Sequence, residues 1–285
     1  GAYFGVAALV IASIVPLAWR TRAVSTTLLG LTVATVIGVP IASAASQAFG
    51  WRWIFAGVAV VAILTMALVF LFAPRDTGDR AATPMRELTA LKRGQVWLTL
   101  GVGAIGFGGL FAVYAYLAST LETVTQVGPA VLPWVFAVFG LGMVVGNLVA
   151  GWATDRFGMA AAGSLLLWSA ISLALYPAAS QNLWSILIVV FMIGGGGGLG
   201  SVLQTRLMDV AGEAQTLAAA LNHSAFNAAN ALGPFLAGLA LTAGWGLAAT
   251  GWVGVALSVG GLVIWAVAVL DAKRRRLTDS AAEPC

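Results

Sequence analysis

Nine long apolar runs dominate this chain, and each is long enough to cross a lipid bilayer. A transmembrane helix needs about 17–25 mostly apolar residues, because the hydrocarbon core is about 30 Å thick. Lipid offers no partner to backbone N–H and C=O groups, so a chain that crosses repeatedly must satisfy them within its own secondary structure. We therefore predict an all-α polytopic membrane protein with helices at 2–19, 24–46, 52–73, 97–120, 131–153, 160–178, 183–205, 216–242 and 247–270.

Composition agrees with this class and argues against several functions. Hydrophobic residues make up 60% of the chain and charged residues 8%, whereas soluble domains have about 25% charged residues. An intramembrane enzyme would need a nucleophile–base pair or metal ligands at membrane depth, and the chain has one histidine and one cysteine. We expect no enzyme activity, no metal site and no cofactor. The basic residues are spread over loops and one tail, so the net charge of +4 does not indicate nucleic acid binding.

The basic residues also predict how the chain is oriented. If the C-terminal tail is cytoplasmic, that side holds thirteen of the fourteen Lys and Arg residues and the opposite side holds Arg52 alone. Cytoplasmic loops of membrane proteins carry such an excess. We expect a multi-pass protein of the cytoplasmic (inner) membrane with a cytoplasmic C-terminus.

A polar stretch and an internal repeat divide the chain. Residues 74–96 form the one long polar segment between apolar runs, which indicates a linker. Gly38-Val-Pro40 is followed by Gly50-Trp51, and Gly233-Pro234 is followed by Gly244-Trp245. The first three spans therefore resemble the last three, as expected for two related six-helix halves.

This repeat predicts that nine of twelve helices are present, in a fragment that lacks the first three. The predicted parts are a remnant of an N-terminal bundle at 1–73 (helices 4–6), a cytoplasmic linker at 74–96, a C-terminal six-helix bundle at 97–271 (helices 7–12) and a cytoplasmic tail at 272–285.

The fifth predicted helix ends in a motif that carries a family resemblance. Gly142, Gly146 and Ala150 form a stripe of small residues that lets another helix approach closely. The pattern Gly151-x-x-x-Asp155-Arg156-x-Gly158 follows. It resembles the inter-helix loop signature of major facilitator transporters, in its second-half position. Met159 and Ala160 stand where that family usually continues with basic residues.

The second predicted helix has a similar stripe. Gly30, Ala34, Gly38 and Ala42 recur every four residues, and Pro40 interrupts the helical hydrogen bonds. Ordinary close packing would account for this pattern. The resemblance implies more, because antiporters of this superfamily carry a glycine- and proline-rich signature in their fifth helix that acts in switching access. Gly233-Pro234 is its counterpart in the eighth span.

The eighth span contains an unusual set of polar residues. His223, Asn227 and Asn230 lie on one side of the helix and Asn222 on an adjoining face. Polar groups at membrane depth need a partner or water. Two interpretations stay open, namely hydrogen bonds between helices or a polar lining of a transport cavity. Further candidates for the cavity wall are Tyr114, Tyr116, Asn147 and Gln204.

The five consecutive glycines at 194–198 require a separate interpretation. Together with Gly200 they match G-x-G-x-x-G superficially, but a dinucleotide site needs that motif between a strand and a soluble helix. We expect close packing or flexibility in the seventh span instead.

The stretches at 30–55, 146–158 and 204–238 resemble the drug:proton antiporter branch of the major facilitator superfamily, near the arabinose-efflux and chloramphenicol-efflux permeases. That resemblance implies alternating-access export of a small organic molecule, a drug or sugar-like compound, through a cavity between two bundles in the bilayer. It also implies proton coupling in the complete protein, through an acidic residue in the first helix. We expect no transport by the nine-helix chain alone, and a non-transporting membrane fragment or scaffold is the alternative.

Overall fold

The structure is a computed structural model, and it describes residues 30, 34–72, 91–212 and 214–282. Eight helices account for most of these residues. They are α1 Val39–Phe49, α2 Trp51–Phe72, α3 Gly94–Thr123, α4 Leu132–Phe157, α5 Met159–Ala179, α6 Leu183–Ala211, α7 Gln215–Thr242 and α8 Thr250–Ala282. The predicted all-α fold is confirmed for this part of the chain. The predicted span at 2–19 and most of the predicted linker lie outside the described residues.

Within the described part, six helices are long and apolar enough to cross a membrane. They are Trp51–Phe72, Gly94–Thr123, Pro129–Phe157, Met159–Ala179, Leu183–Ala211 and Leu247–Arg275. Helix α7 has 28 residues, which at 1.5 Å per residue also suffices to span the hydrocarbon. Its asparagines and histidine make it less apolar than these six.

Helix α3 is not a continuous α-helix. A π-helical turn occupies Val102–Gly106, and the regular helix stops again after Tyr114 and resumes at Leu117. Helix α6 contains a 3-10 turn at Gly196–Gly198. The breaks at Val102–Gly106 and Gly196–Gly198 fall where glycines let the backbone depart from α-geometry at little steric cost. The break after Tyr114 contains no glycine.

Helices α3 to α8 form one bundle. Helix α5 packs along α8, α4 packs along α6, and α3 contacts both α7 and α8. Its buried core is apolar and includes the side chains Leu117, Leu166, Tyr176, Ile186 and Leu203. Helix α2 has no buried residue among those described, and α1 contacts α4.

Several boundaries differ from the prediction. Helix α3 begins at Gly94, so the last residues of the predicted linker belong to a helix. Helix α8 continues to Ala282 instead of ending near 270. Arg275 and Asp271 form an ion pair (2.9 Å) one turn apart, which adds to the helix where the apolar run ends. The first part of the predicted tail at 272–285 is therefore helical.

Candidate functional site

The loop motif forms a tight corner between α4 and α5. The N–H of Gly158 donates to the Thr154 carbonyl (2.8 Å), and Gly158 has a φ of 54°, a backbone conformation that glycine adopts readily. Asp155 and Arg156 are exposed, and the Arg156 guanidinium lies 6.0 Å from the centre of the Phe157 ring. A Cβ at Gly151 would meet open space. The residues that carry the family resemblance thus form a tight turn between α4 and α5, and a role in gating, which the resemblance implies for them, remains a prediction.

The small-residue stripe of α4 is a close helix contact. A Cβ at Gly142 would overlap the Phe191 carbonyl of α6, and one at Gly146 would overlap the Gly195 carbonyl. On the facing helix, a Cβ at Gly198 would lie 2.7 Å from the Ala150 Cβ. The stripe and the five-glycine run therefore pack against each other, which confirms the expectation of close packing for both.

The stripe at Gly30 and Gly38 has different surroundings. A Cβ at Gly30 would have no neighbour within 4 Å among the described residues, and one at Gly38 would meet only the Ala34 Cβ, at 4.0 Å. Pro40 lies in the first turn of α1, directly after a π-helical turn at Ala34–Gly38. The access-switching role of Gly30, Gly38 and Pro40 remains a prediction.

Gly233 and Pro234 join α7 to α3. A Cβ at Gly233 would overlap the Gly108 carbonyl and would lie 2.9 Å from the Ala112 nitrogen. The Tyr116 hydroxyl donates to the Pro234 carbonyl (3.2 Å). The helix passes through Pro234 without ending, since α7 extends to Thr242. Tyr116 thus contacts the proline of the motif at the second break of α3.

The polar residues of α7 divide into two groups. Asn222 is buried, and its Nδ2 donates to the Gln204 Oε1 of α6 (2.6 Å). His223 is half-buried, while Asn227 and Asn230 are exposed. Both sequence interpretations therefore find support on one helix, with an inter-helix hydrogen bond at Asn222 and a polar exposed surface at Asn227 and Asn230.

The remaining cavity candidates occupy α3 and α4. The Tyr114 ring packs against Phe136 and Phe139 of α4, with centroid separations of 5.6 Å and 4.7 Å. Asn147 is exposed, and its Nδ2 donates to the Met143 carbonyl one turn earlier (2.9 Å). Tyr114 thus joins α3 to α4, and Asn147 is one of the exposed polar groups of the bundle.

A polar network that the sequence did not predict lies at one end of the bundle. Gln95 of α3 accepts from Arg206 of α6 (3.1 Å) and donates to Asp271 of α8 (2.7 Å). Arg275 donates to the same carboxylate (2.9 Å). The four-residue spacing of Asp271 and Arg275 could have indicated their pair, but no sequence signal links Gln95 to either helix. In the described ranges, no group of three His, Cys, Asp or Glu side chains could hold a metal ion.

Comparison with known proteins supplies a family assignment. The family model described as Major Facilitator Superfamily matches residues 1–126 and 96–284. The chain is 33% identical over 248 residues to the inner membrane transport protein YdhP of Escherichia coli, covering 86% of this chain and 64% of the relative. It is 31% identical to the putative transporter AraJ of Escherichia coli, covering 86% and 62%. It is 35% identical over 250 residues to the chloramphenicol resistance protein of Streptomyces lividans, covering 84% and 62%. The chain thus spans less than two thirds of the length of these relatives.

Proposed function

Since the chain belongs to the major facilitator superfamily, we propose that the complete protein exports a small organic molecule across the cytoplasmic membrane. Export would proceed by alternating access, coupled to proton entry, with the C-terminus in the cytoplasm. The name of the chloramphenicol resistance relative supports export rather than import. The chain is a multi-pass integral membrane protein, and its relatives are transporters rather than enzymes.

The observation that carries this proposal is the exposed polar surface of α7. Asn227 and Asn230 lie three residues apart, both exposed, on a helix long enough to cross the bilayer. Asparagine facing lipid at this depth is costly, so such residues ordinarily face a water-filled cavity or another bundle. The uncharged amides can donate and accept hydrogen bonds to a polar organic substrate. We therefore assign this surface to the transport cavity.

The packing of the bundle supports a rigid-body mechanism. The α4–α6 contact brings backbone against backbone at Gly142 and Gly146, and the α3–α7 contact does the same at Gly233. Close-packed helices of this kind move together rather than separately. The contact of α1 with α4 is then the boundary at which access would change. Pro40 lies near the beginning of α1, and Asp155 lies near the end of α4.

Drug accumulation in cells that express the complete gene would test the proposal. The host would lack its own efflux pumps, and accumulation of radiolabelled chloramphenicol and of arabinose would be measured with and without a protonophore. We expect lower accumulation of at least one compound than in cells with an empty vector, and loss of that difference with the protonophore. The alternative outcome is equal accumulation with the gene and with the empty vector, both with and without the protonophore. That result, with the protein present in the membrane, would favour the non-transporting scaffold.

Paired variants would test the assignment of α7. Replacing both Asn227 and Asn230 by alanine should reduce export while leaving the amount of membrane-inserted protein unchanged, since both side chains are exposed. Ser224→Ala is the matched control, because this exposed hydroxyl on the same helix donates to the Ala220 carbonyl. A loss of export in the control as large as in the double variant would contradict the assignment.

A further inference from the structure

A basic cavity lies at one end of the bundle, outside the proposed transport surface. It has a volume of about 410 Å³ and is lined by Lys92, Arg93, Gly94, Gln95, Val210 and Arg275. Lys92 and Arg93 directly precede α3, Gly94 and Gln95 begin it, Val210 lies at the end of α6 and Arg275 in the late part of α8. Three of them are cationic, and among the residues that the structure describes none of the lining side chains is acidic.

Two of the three cations are held in place by the bundle. The Arg93 Nη1 donates to the Val210 carbonyl at the end of α6 (3.0 Å). The Arg275 Nε donates to Asp271 (2.9 Å), and Gln95 donates to the same carboxylate (2.7 Å). Asp271 therefore takes hydrogen bonds from Arg275 and from Gln95. Among the described residues that line the cavity or bond through side chains to its lining, the cations Lys92, Arg93 and Arg275 outnumber this one carboxylate.

Two glycines lie next to the guanidinium groups, and one of them makes room for its neighbour. A Cβ at Gly94 would lie 3.6 Å from the Arg275 Nη2. A Cβ at Gly212 would lie 2.8 Å from the Arg93 Nη2, which is closer than a carbon and a nitrogen can approach without a shift. Gly212 therefore leaves the space that the Arg93 guanidinium occupies, whereas a Cβ at Gly94 would only make ordinary van der Waals contact with Arg275.

The cavity lies at the level where a membrane surface is expected. Trp97, one turn into α3, is exposed, and its Nε1 donates to the Leu91 carbonyl (2.8 Å). Tryptophan concentrates at the boundary between hydrocarbon and headgroups. The apolar part of α3 begins at this point, so the cations at its start lie at headgroup depth. They also lie on the side that the sequence predicts to be cytoplasmic.

We propose that this cavity binds the phosphate group of an anionic phospholipid such as phosphatidylglycerol. Arginine matches phosphate oxygens with its planar array of donors, and lysine adds a point charge. Basic pockets between transmembrane helices on the cytoplasmic side bind lipid headgroups in this way. The exposed Trp97, two residues along the chain from Gln95 in the cavity lining, favours a lipid over a free phosphate ion, because a lipid also supplies apolar chains to cover that surface. The bound headgroup joins α3, α6 and α8 at one end of the bundle.

The test measures lipid binding by the purified full chain in mixed micelles. Phosphatidylglycerol, phosphatidylcholine and inorganic phosphate are each titrated, and the shift in thermal unfolding temperature gives the affinity. The test pair is K92Q and the double variant K92Q/R93Q. The matched pair is K273Q and K273Q/R274Q, which removes the same charges on the same side of the membrane at residues that do not line this cavity.

We expect phosphatidylglycerol to stabilise the protein more than phosphatidylcholine does. Its affinity should fall about fivefold for each cation removed from the cavity and should change less than about twofold in the matched pair. The single variant K92Q separates lipid binding from folding. Lys92 is exposed, so its loss should not affect folding, whereas Arg93 also donates to the Val210 carbonyl. Equal losses in both pairs would show general surface attraction and overturn the proposal, as would equal stabilisation by the two lipids. Stabilisation by inorganic phosphate that also depends on Lys92 would retain the anion site but overturn its assignment to lipid.

Discussion

Single asparagines in α7 show how the surroundings of a residue decide its role. Asn222 is buried and bonded to Gln204, whereas Asn227 is exposed on the same helix. The first amide stabilises the contact between α6 and α7, and a bond of this kind contributes up to about 2 kcal/mol in a membrane protein. The second would be available to a substrate under the proposed function. The surroundings of two glycines differ in the same way, since a Cβ at Gly146 would overlap the Gly195 carbonyl, whereas one at Gly151 would have no neighbour within 4 Å among the described residues.

Gly146→Ala should destabilise the protein by about 1–3 kcal/mol, the usual cost of overpacking. A methyl group at this position would overlap the Gly195 carbonyl, and both partners are backbone atoms that no rotamer change can move aside. The measurement is thermal unfolding in mild detergent. Gly151→Ala is the control on the same helix, and its open surroundings together with the better helix propensity of alanine predict unchanged or higher stability. Equal losses from the two substitutions would contradict the close contact.

At the scale of elements, the corner between α4 and α5 is a tightly constrained connection. A single residue, Gly158, separates Phe157 from Met159. Its φ of 54° and ψ of −129° lie in a region that residues with a side chain rarely adopt. The corner therefore fixes the direction in which α5 leaves α4, and with it the position of Asp155 and Arg156.

Gly158→Ala should cost about 1–3 kcal/mol of stability, the strain of holding a side chain in such a backbone conformation. Thermal unfolding of the purified protein measures this loss. Gly128→Ala is the matched control in the connection before α4, since Gly128 has an ordinary φ of −65° and open space around its Cα. If both variants unfold at the wild-type temperature, the constrained corner described here is wrong.

At the scale of the whole molecule, the described helices form three kinds of environment. The helix bundle α3–α8 has a buried apolar core, the α7 surface with Asn227 and Asn230 is polar, and the end near Arg93 and Arg275 is basic. A bilayer requires such an order, with charges at the headgroups and uncharged polar groups inside the protein. The orientation of the chain across the membrane decides which side of the membrane the basic end faces, and hence how the proposed direction of transport relates to the fold.

Cys285, the one cysteine of this sequence, should react with a membrane-impermeant maleimide only after cells are permeabilised. The excess of basic residues predicts that this end of the chain is cytoplasmic. Mass-tag labelling on gels of intact and permeabilised cells provides the measurement. A variant with Cys285→Ser and Arg52→Cys should behave in the opposite way, because Arg52 is predicted on the outer side. Labelling of Cys285 in intact cells would reverse the predicted orientation.

Much of the candidate site was predictable because its signals are local. The corner at Gly158, the stripe at Gly142 and Gly146, and the polar run of α7 depend on residues close together in sequence. The network of Gln95, Arg206 and Asp271 was not predictable, because its members lie on three helices. The extension of α8 to Ala282 was also missed, since hydropathy marks where the apolar run ends and not where the helix does.

The sequence by itself determined that this chain is a helical membrane protein of the major facilitator superfamily, because apolar length and local motifs follow from covalent order alone. Only the tertiary structure decided that the glycines of α4 and α6 face each other, that Asn222 is buried while Asn227 and Asn230 are exposed, and that Arg93 and Arg275 line one cavity. These facts depend on how each helix is rotated about its axis. That rotation is set by packing between distant segments, where the best fit of all the helices together outweighs the preference of any one of them.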